Sequence, residues 1–269
     1  MVEKTVFLSC DIEGACGVAH WNETEKGHPD YPGFQQQMTL EAAAACEGAA
    51  AAGADRVLVK DAHDSARNLI PRLLPRLAVL NRDWSGGLCS MMHGVDTPGI
   101  RAAMMTGYHS AAGCGGNPLA HTMNRQNEEV LLNGERMSEF QMNALTAGFY
   151  GVPVVFLSGD KQLCDWAAGW IPGLITVAVS EGCGGSSTSI HPDLAVERIR
   201  EGVQKALSGD VSACTVPMPA RFTMQIRFRD HRRAYSGAFY PGAHGVGEKT
   251  VEYTADNWLD MLRFVHFVL

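Results

Sequence analysis

The chain has 269 residues, 46% hydrophobic and 19% charged, enough apolar material for one large core or two unequal ones and too much for a disordered or fibrous chain. A formal charge of -7 and an isoelectric point near 5.8 give no long-range attraction for phosphate backbones or anionic membranes, which sets nucleic acid and membranes aside as partners. No run reads as long and apolar enough to span a bilayer, and Met1 to Lys4 leads at once into strand-like residues, so a cytoplasmic location is expected. Eight cysteines, at 10, 16, 46, 89, 114, 164, 183 and 214, form no C-x-x-C pair and read as buried free thiols of a reducing compartment.

Val6 to Leu8 reads as a short apolar strand that opens into a Gly-rich segment through Gly14 and Gly17. From about residue 33 to residue 52, strong helix formers predict a helix with Gly53 at its C-terminal stop and small side chains suited to close packing on a sheet. Arg56 to Lys60 is a second strand, so the chain opens as strand, helix, strand, the unit of a parallel sheet with right-handed crossovers. Ile100 to Thr106 reads as a third strand, Glu129 to Arg136 as a hairpin turning at Asn133 and Gly134, Ser138 to Tyr150 as a helix, and Val152 to Leu157 as a further strand. The Gly/Ser/Thr stretch from Gly182 to Ser189 has no lysine in the phosphate-loop register and reads as a flexible loop. A helix from Pro192 to Leu207, an alternating strand from Phe222 to Phe228 and an amphipathic helix from Asp256 follow, the last with Trp258, Met261, Leu262 and Val265 as its apolar stripe. The pattern predicts an α/β fold: a mostly parallel sheet with helices on both faces over residues 1–190, plus a smaller C-terminal α+β domain over residues 191–269.

Asp11 and Glu13 lie two apart at the carboxyl end of the first strand, where extended backbone points both carboxylates to the same side. Two like charges sharing a site need a proton or a cation between them. His63 follows the second strand and His109 the third, so three strand ends deliver acid and imidazole groups to the rim where open α/β sheets bind ligands. Taken alone, each histidine reads as an imidazole satisfied by backbone, and Glu139 as a carboxylate favoured by a helix start; together they form a carboxylate and imidazole set suited to zinc or manganese. His121 is either a plain loop histidine or a proton-transfer group near the metals. Asp61 is either a turn carboxylate or the partner that orients the His63 imidazole. Cys10 and Cys16 flank the site, with a catalytic thiol as the minor reading there. The basic cluster Arg229, His231, Arg232 and Arg233 reads as a solvated face, with substrate-carboxylate binding or a subunit contact as the sharper alternative.

Five short motifs carry a resemblance: Ser9 to Gly14 around Asp11 and Glu13, Lys60 to His63, Gly107 to His109, His121 to Met123, and Glu139 with Asn143 and Ala144. In this order, from near the start to about residue 160, they resemble the zinc-dependent D-aminopeptidases of peptidase family M55. The resemblance implies two zinc ions per chain, bridged by Asp11, with Glu13 and His63 completing one site and His109 and Glu139 the other, and His121 as the catalytic histidine. It implies release of N-terminal D-amino acids, D-alanine foremost, from a small peptide substrate, and a ring-like homo-oligomer, a decamer. The metal chemistry itself predicts only hydrolysis by a water bridging two cations that also polarise the carbonyl. That leaves open a two-metal amidase or phosphoesterase acting on another small substrate. A non-catalytic cytoplasmic dipeptide-binding protein is the reading from a different class.

Overall fold

The strand, helix, strand opening seeds a seven-stranded sheet in the computed structural model of the chain, which describes residues 3–269. β1 (Thr5–Cys10) is buried along its whole length, as a central parallel strand must be when both of its faces are covered. α1 (Tyr31–Ala51), with Pro32 in its first turn, crosses back to β2 (Arg56–Asp61), and β3 (Ala78–Asn81) pairs outside it. β4 (Ile100–Tyr108) then lies on the other side of β1. The chain next leaves this sheet for β5 (Asn127–Leu132) and β6 (Glu135–Arg136), turning at Asn133 and Gly134 as the sequence predicts. It returns through α2 (Glu139–Phe149) to β7 (Val154–Asp160), then α3 (Lys161–Trp170), β8 (Ile175–Cys183), β9 (Ser186–Ser189) and α4 (Pro192–Ser208).

The order across the sheet is β3-β2-β1-β4-β7-β8-β9, parallel throughout except for β9. Strand order therefore reverses between β1 and β4, the topological switch point where doubly wound sheets form their binding crevice. Helices cover both faces: α1 packs against α4 on one, while Phe140 of α2 meets Trp170 of α3, 6.4 Å between ring centres, on the other. The alanine-rich sequence of α1 suits this place, because a helix squeezed between a sheet and another helix needs small side chains all round; Ala42, Ala45, Cys46 and Ala49 are fully buried.

The remaining elements are β10 (Phe222–Phe228), α5 (His231–Gly237), β11 (His244–Gly245), β12 (Thr250–Ala255) and α6 (Trp258–Val268). They form a second, antiparallel sheet in the order β11-β12-β10-β5-β6. α6 buries the predicted stripe of Trp258, Met261, Leu262 and Val265. α4, which the sequence reading places beyond a boundary at residue 190, packs on α1, β7 and β8, whereas β5 and β6 from before it belong to the second sheet. The stretch from Gly182 to Ser189 is not a flexible loop but the β8–β9 hairpin, paired from Ser180 with Ser189 to Cys183 with Ser186. Serine and threonine give no apolar alternation, so the strand was invisible to hydrophobic periodicity. The end of this hairpin braces the loop after β1, with Gly17 N donating to Ser189 Oγ at 3.1 Å and Cys16 Sγ to the Ile190 carbonyl at 3.1 Å.

A second brace comes from inside α1. Glu41 is buried, and its Oε1 accepts from Cys16 N at 2.8 Å and from Gln37 Nε2 at 2.9 Å, while Oε2 has no hydrogen-bond partner among the described residues. Burial, opposed by those two bonds, pushes its carboxyl from an ordinary 4.5 up to about 7. A carboxyl raised in the fold holds its proton longer than the unfolded chain does, so its contribution to stability is greatest below pH 4.5 and is lost as pH rises through 7. At pH 8 the buried charge costs about 3 kcal/mol. Glu41→Gln, which keeps the acceptor for Cys16, is expected to stabilise the protein by up to about that amount at pH 8 and by little at pH 4. Urea titrations of both proteins at the two pH values check this; an equal gain at both contradicts a charged Glu41 above neutrality.

Candidate active site

The switch point places the first two carboxylates. Beyond β1, Asp11 N donates to the Thr106 carbonyl at 2.9 Å and Gly14 N to the Gly107 carbonyl at 2.8 Å, so the turn after β1 is laced to the end of β4. This lacing needs backbones closer than side chains allow. A Cβ on Gly14 would sit 1.8 Å from the Tyr108 carbonyl oxygen, and one on Gly107, whose φ is +71°, would sit 2.1 Å from the Asp11 carbonyl oxygen. Below the turn, the Tyr108 hydroxyl donates to Ser9 Oγ at 2.7 Å and accepts from Asn143 Nδ2 at 2.9 Å, while Ser9 Oγ donates to the Met91 carbonyl at 2.9 Å. One buried network thus ties β1, β4 and α2 together directly under the site.

Asp11, Glu13, His63, His109, His121 and Glu139 all converge here. His63 Nδ1 lies 3.3 Å from Asp11 Oδ1 and 3.0 Å from Glu13 Oε2. His109 Nε2 lies 3.6 Å from Asp11 Oδ2 and 3.6 Å from Glu139 Oε1. His121 Nε2 lies 3.5 Å from Glu139 Oε1 and 3.9 Å from Glu13 Oε1, with its ring stacked on that of His109 at 4.4 Å. Asp11, Glu13, His63, His109 and Glu139 are buried; His121 is partly open.

The far nitrogen of each ring fixes its tautomer. His63 Nε2 meets the Thr24 carbonyl at 3.0 Å, His109 Nδ1 the Ser110 carbonyl at 3.0 Å, and His121 Nδ1 the Leu119 carbonyl at 2.9 Å. A carbonyl can only accept, so these nitrogens carry the protons in the neutral rings and the other three turn their lone pairs towards the carboxylates. Acceptor then faces acceptor throughout. Asp11 Oδ2, Glu13 Oε2 and His109 Nε2 are buried without any hydrogen-bond partner among the described residues. Only positive charge, as protons or as metal cations, reconciles such an arrangement.

Electrostatics express the same conflict. Burial and then the adjoining Glu13 push the Asp11 carboxyl well above the ordinary range. Burial works against ionisation of Glu13 too, but His63 and the other two imidazoles hold its carboxyl well below the ordinary range. Burial likewise opposes a charge on His109, yet Glu139, Glu13 and Asp11 raise its imidazole to about 9. Two trios of ligand atoms, Asp11 with Glu13 and His63 and Asp11 with His109 and Glu139, each lie within 4.8 Å of one another and share Asp11; Glu13, His109 and His121 make a third. Carboxylate oxygens and imidazole nitrogens in these numbers fit zinc or a similar cation.

The neighbouring residues divide into supports and cavity walls. Asp160 accepts from Ser110 N at 2.6 Å, Ser110 Oγ at 2.7 Å and Leu163 N at 2.9 Å, holding the turn whose carbonyl orients His109. Glu139 opens α2 beside the N-cap Ser138, and its Oε1 accepts from Met123 N at 2.7 Å. Asp61 does not orient an imidazole: its oxygens accept from Asn68 N, Asn68 Nδ2 and Leu69 N, and Asn68 in turn grips the His63 carbonyl. It shapes the loop, and the Thr24 carbonyl does the orienting. Cys16 is held as a thiol: its Sγ donates to the Ile190 carbonyl, and burial and then Glu41 push it up to about 12. The cluster stands in a cavity of about 600 Å³ walled also by Trp21, Glu25, Trp84 and Arg125, none of which the sequence singled out. Arg232 and Arg233 line a different cavity, and Arg232 pairs with Asp230 on the surface.

A family model of D-aminopeptidases, peptidase family M55, matches residues 5–267. The chain belongs to the D-aminopeptidase family. As a member it is a peptidase, a hydrolase of peptide bonds. A D-aminopeptidase of Bacillus subtilis strain 168 is 28% identical over 258 residues, 95% of this chain and 93% of the relative. A solved structure of a zinc-dependent D-aminopeptidase from Bacillus subtilis, described as a self-compartmentalizing protease, superposes with a TM-score of 0.89 at 26% identity, covering 97% of this chain and 95% of that one. The family's architecture, an α/β fold built on a mostly parallel sheet, is the one described above.

The backbone contact between β4 and the turn after β1 makes the cluster sensitive to a single methyl. Gly107→Ala must move the Asp11 carbonyl or leave the left-handed region, at a cost of about 2–4 kcal/mol. The variant is expected to bind divalent metal at least about tenfold more weakly than the parent, as read by competition with a chromophoric chelator. Parent-like affinity contradicts the claim that this contact sets the position of Asp11.

Proposed function

We propose that the chain is a binuclear zinc aminopeptidase that releases N-terminal D-amino acids, D-alanine foremost, from short peptides. The single observation that carries the reading is the convergence of three tautomer-fixed imidazole lone pairs on three carboxylates, with buried atoms of both kinds unpartnered. Asp11, whose Oδ1 faces His63 and whose Oδ2 faces His109, would serve both ions. Glu13 and His63 would complete one site, and His109 and Glu139 the other. Bound there, zinc supplies an activated water at neutral pH and polarises the scissile carbonyl.

His121 has the geometry of the proton carrier. Leu119 fixes its Nδ1 and leaves Nε2 bare towards the cavity, while Trp21 stands against its edge at 5.3 Å and His109 against its face. Burial, and then the nearby His109, lower its pKa below the ordinary imidazole value, which keeps it a neutral base at pH 7 that can take a proton and pass it to the departing amine. Glu139 and Glu13 flank that nitrogen and favour the imidazolium that forms. The stereochemical preference and the zinc come to this chain from its relatives, a D-aminopeptidase and a zinc-dependent D-aminopeptidase. A homo-oligomer is proposed on the same footing, supported by the self-compartmentalizing relative and by the exposed aromatic side chains of Tyr235, Phe239 and Phe267. No helix among the described residues is long and apolar enough to cross a membrane, and a cytoplasmic site of action fits the eight cysteines, all free thiols.

Elemental analysis followed by hydrolysis of D-alanyl-D-alanine before and after chelation tests the reading. About two zinc per chain and chelator-sensitive cleavage are expected, with D-alanyl amides cut in preference to L-alanyl amides and to a phosphate ester. Preference for the phosphate ester, or no cleavage at full metal occupancy, overturns it. Asp11→Ala is expected to lose both metals while circular dichroism stays native. His121→Ala is expected to keep both metals and lose about 10²–10⁴-fold in kcat; near-normal turnover moves the proton carrier elsewhere.

A further inference from the structure

The walls of the cavity carry Glu25 and Asp64 in addition to the three clustered carboxylates, and among its lining residues one guanidinium, that of Arg125. Arg125 stands four residues beyond His121 on the same loop. Its guanidinium carbon lies 4.2 Å from the centre of the Trp21 ring, which in turn stands 5.3 Å from the centre of the His121 ring, so the positive charge stays within about 10 Å of the imidazole. The backbone beneath it is fixed at several points. Arg229 Nε donates to the Arg125 carbonyl at 3.0 Å, Met123 N donates to Glu139 Oε1 at 2.7 Å, and Asn127 Nδ2 donates to the Thr122 carbonyl at 2.8 Å. The loop that presents Arg125 is therefore tied to one of the clustered carboxylates.

The guanidinium itself is underused. Its acidic neighbour Glu25 is 3.5 Å from Nη1, and both side chains are more than half exposed, so this is a single-point contact screened by water. Among the described residues most of the five guanidinium donors remain free for a second partner. A planar cation stacked on an indole, with its fork free, is built for bidentate capture of a carboxylate.

We propose that Arg125 receives the C-terminal carboxylate of the substrate peptide. This rests on the peptidase reading above and adds to it a recognised end group and a length. Extended peptide advances about 3.3–3.6 Å per residue. With the scissile bond beside His121, one residue beyond it, together with a hydrogen-bond length at each end, reaches about as far as the roughly 10 Å within which the guanidinium stands of that imidazole. A dipeptide therefore satisfies both ends at once, whereas a long peptide carries its carboxylate past Arg125.

Steady-state kinetics on D-alanyl-D-alanine and on its C-terminal amide test this, with the parent protein, Arg125→Gln and Arg125→Lys. The ratio of kcat/KM for acid over amide is expected to fall about tenfold or more in Arg125→Gln, chiefly through KM for the acid, and less in Arg125→Lys, which keeps the charge but not the fork. In the parent the same ratio is expected to fall as salt is raised, a readout that requires no variant to fold. An acid-to-amide ratio that neither the substitutions nor salt changes overturns the assignment of Arg125 while leaving the peptidase reading intact. Cleavage of neither peptide by the metal-loaded parent overturns both.

Discussion

Acceptor facing acceptor is the constraint from which the rest of this structure follows. Three imidazole nitrogens are stripped of their protons by backbone carbonyls on their far sides and aimed at three buried carboxylates. Left to itself, such a cluster would protonate, and the raised pKa of Asp11 and of His109 is the form that pressure takes. The fold keeps the groups together regardless. It sets Asp11 and Glu13 on a turn hydrogen-bonded to β4, His109 on a turn held by Asp160, and Glu139 on the first turn of α2. What is stored in that arrangement is affinity for a cation, since a divalent ion can meet the oxygens and nitrogens at once.

The doubly wound sheet supplies the place. Because strand order reverses between β1 and β4, the chain leaves their carboxyl ends in opposite directions along the sheet, and a crevice opens there. Two excursions roof it. One, between β1 and α1, brings Trp21 and the Thr24 carbonyl; the other, between β4 and α2, brings His121, Met123 and Arg125 before passing into the antiparallel sheet. The second sheet thus serves the site at a distance: β10 pairs with β5, and Arg229, just past β10, grips the loop that carries Arg125. The pocket is thus made from loops that are themselves hydrogen-bonded to elements of both sheets.

Much of this was legible in the sequence, and the physical reasons mark where legibility stops. Apolar strands ending in Asp, Glu or His announce both the parallel sheet and its functional rim, so Asp11, Glu13, His63 and His109 could be placed before any coordinates. Glu139 and His121 needed the resemblance as well, because a helix-start carboxylate and a loop histidine have ordinary explanations. β9 was hidden because hydroxyl side chains carry no hydrophobic period. The residue pattern predicts a smaller α+β domain over residues 191–269 and a hairpin from Glu129 to Arg136 without joining them, since nothing local in Asn127 to Leu132 reveals that its partner is β10, more than ninety residues later. Trp21 and Arg125 were unreadable for a similar reason: each is unremarkable in its own segment, and only the fold stacks one upon the other. Asp61 stays open in the sequence between a turn carboxylate and a partner of His63, because two-residue spacing allows either; the turn sends its oxygens to Asn68 and Leu69.

Anomalous diffraction at the zinc edge, from crystals of the metal-loaded protein, tests the central claim most directly. Two peaks are expected on either side of the Asp11 carboxylate, one beside Glu13 and His63 and one beside His109 and Glu139. A single peak, peaks at other residues, or imidazoles turned away from the carboxylates in the metal-loaded crystal would contradict it.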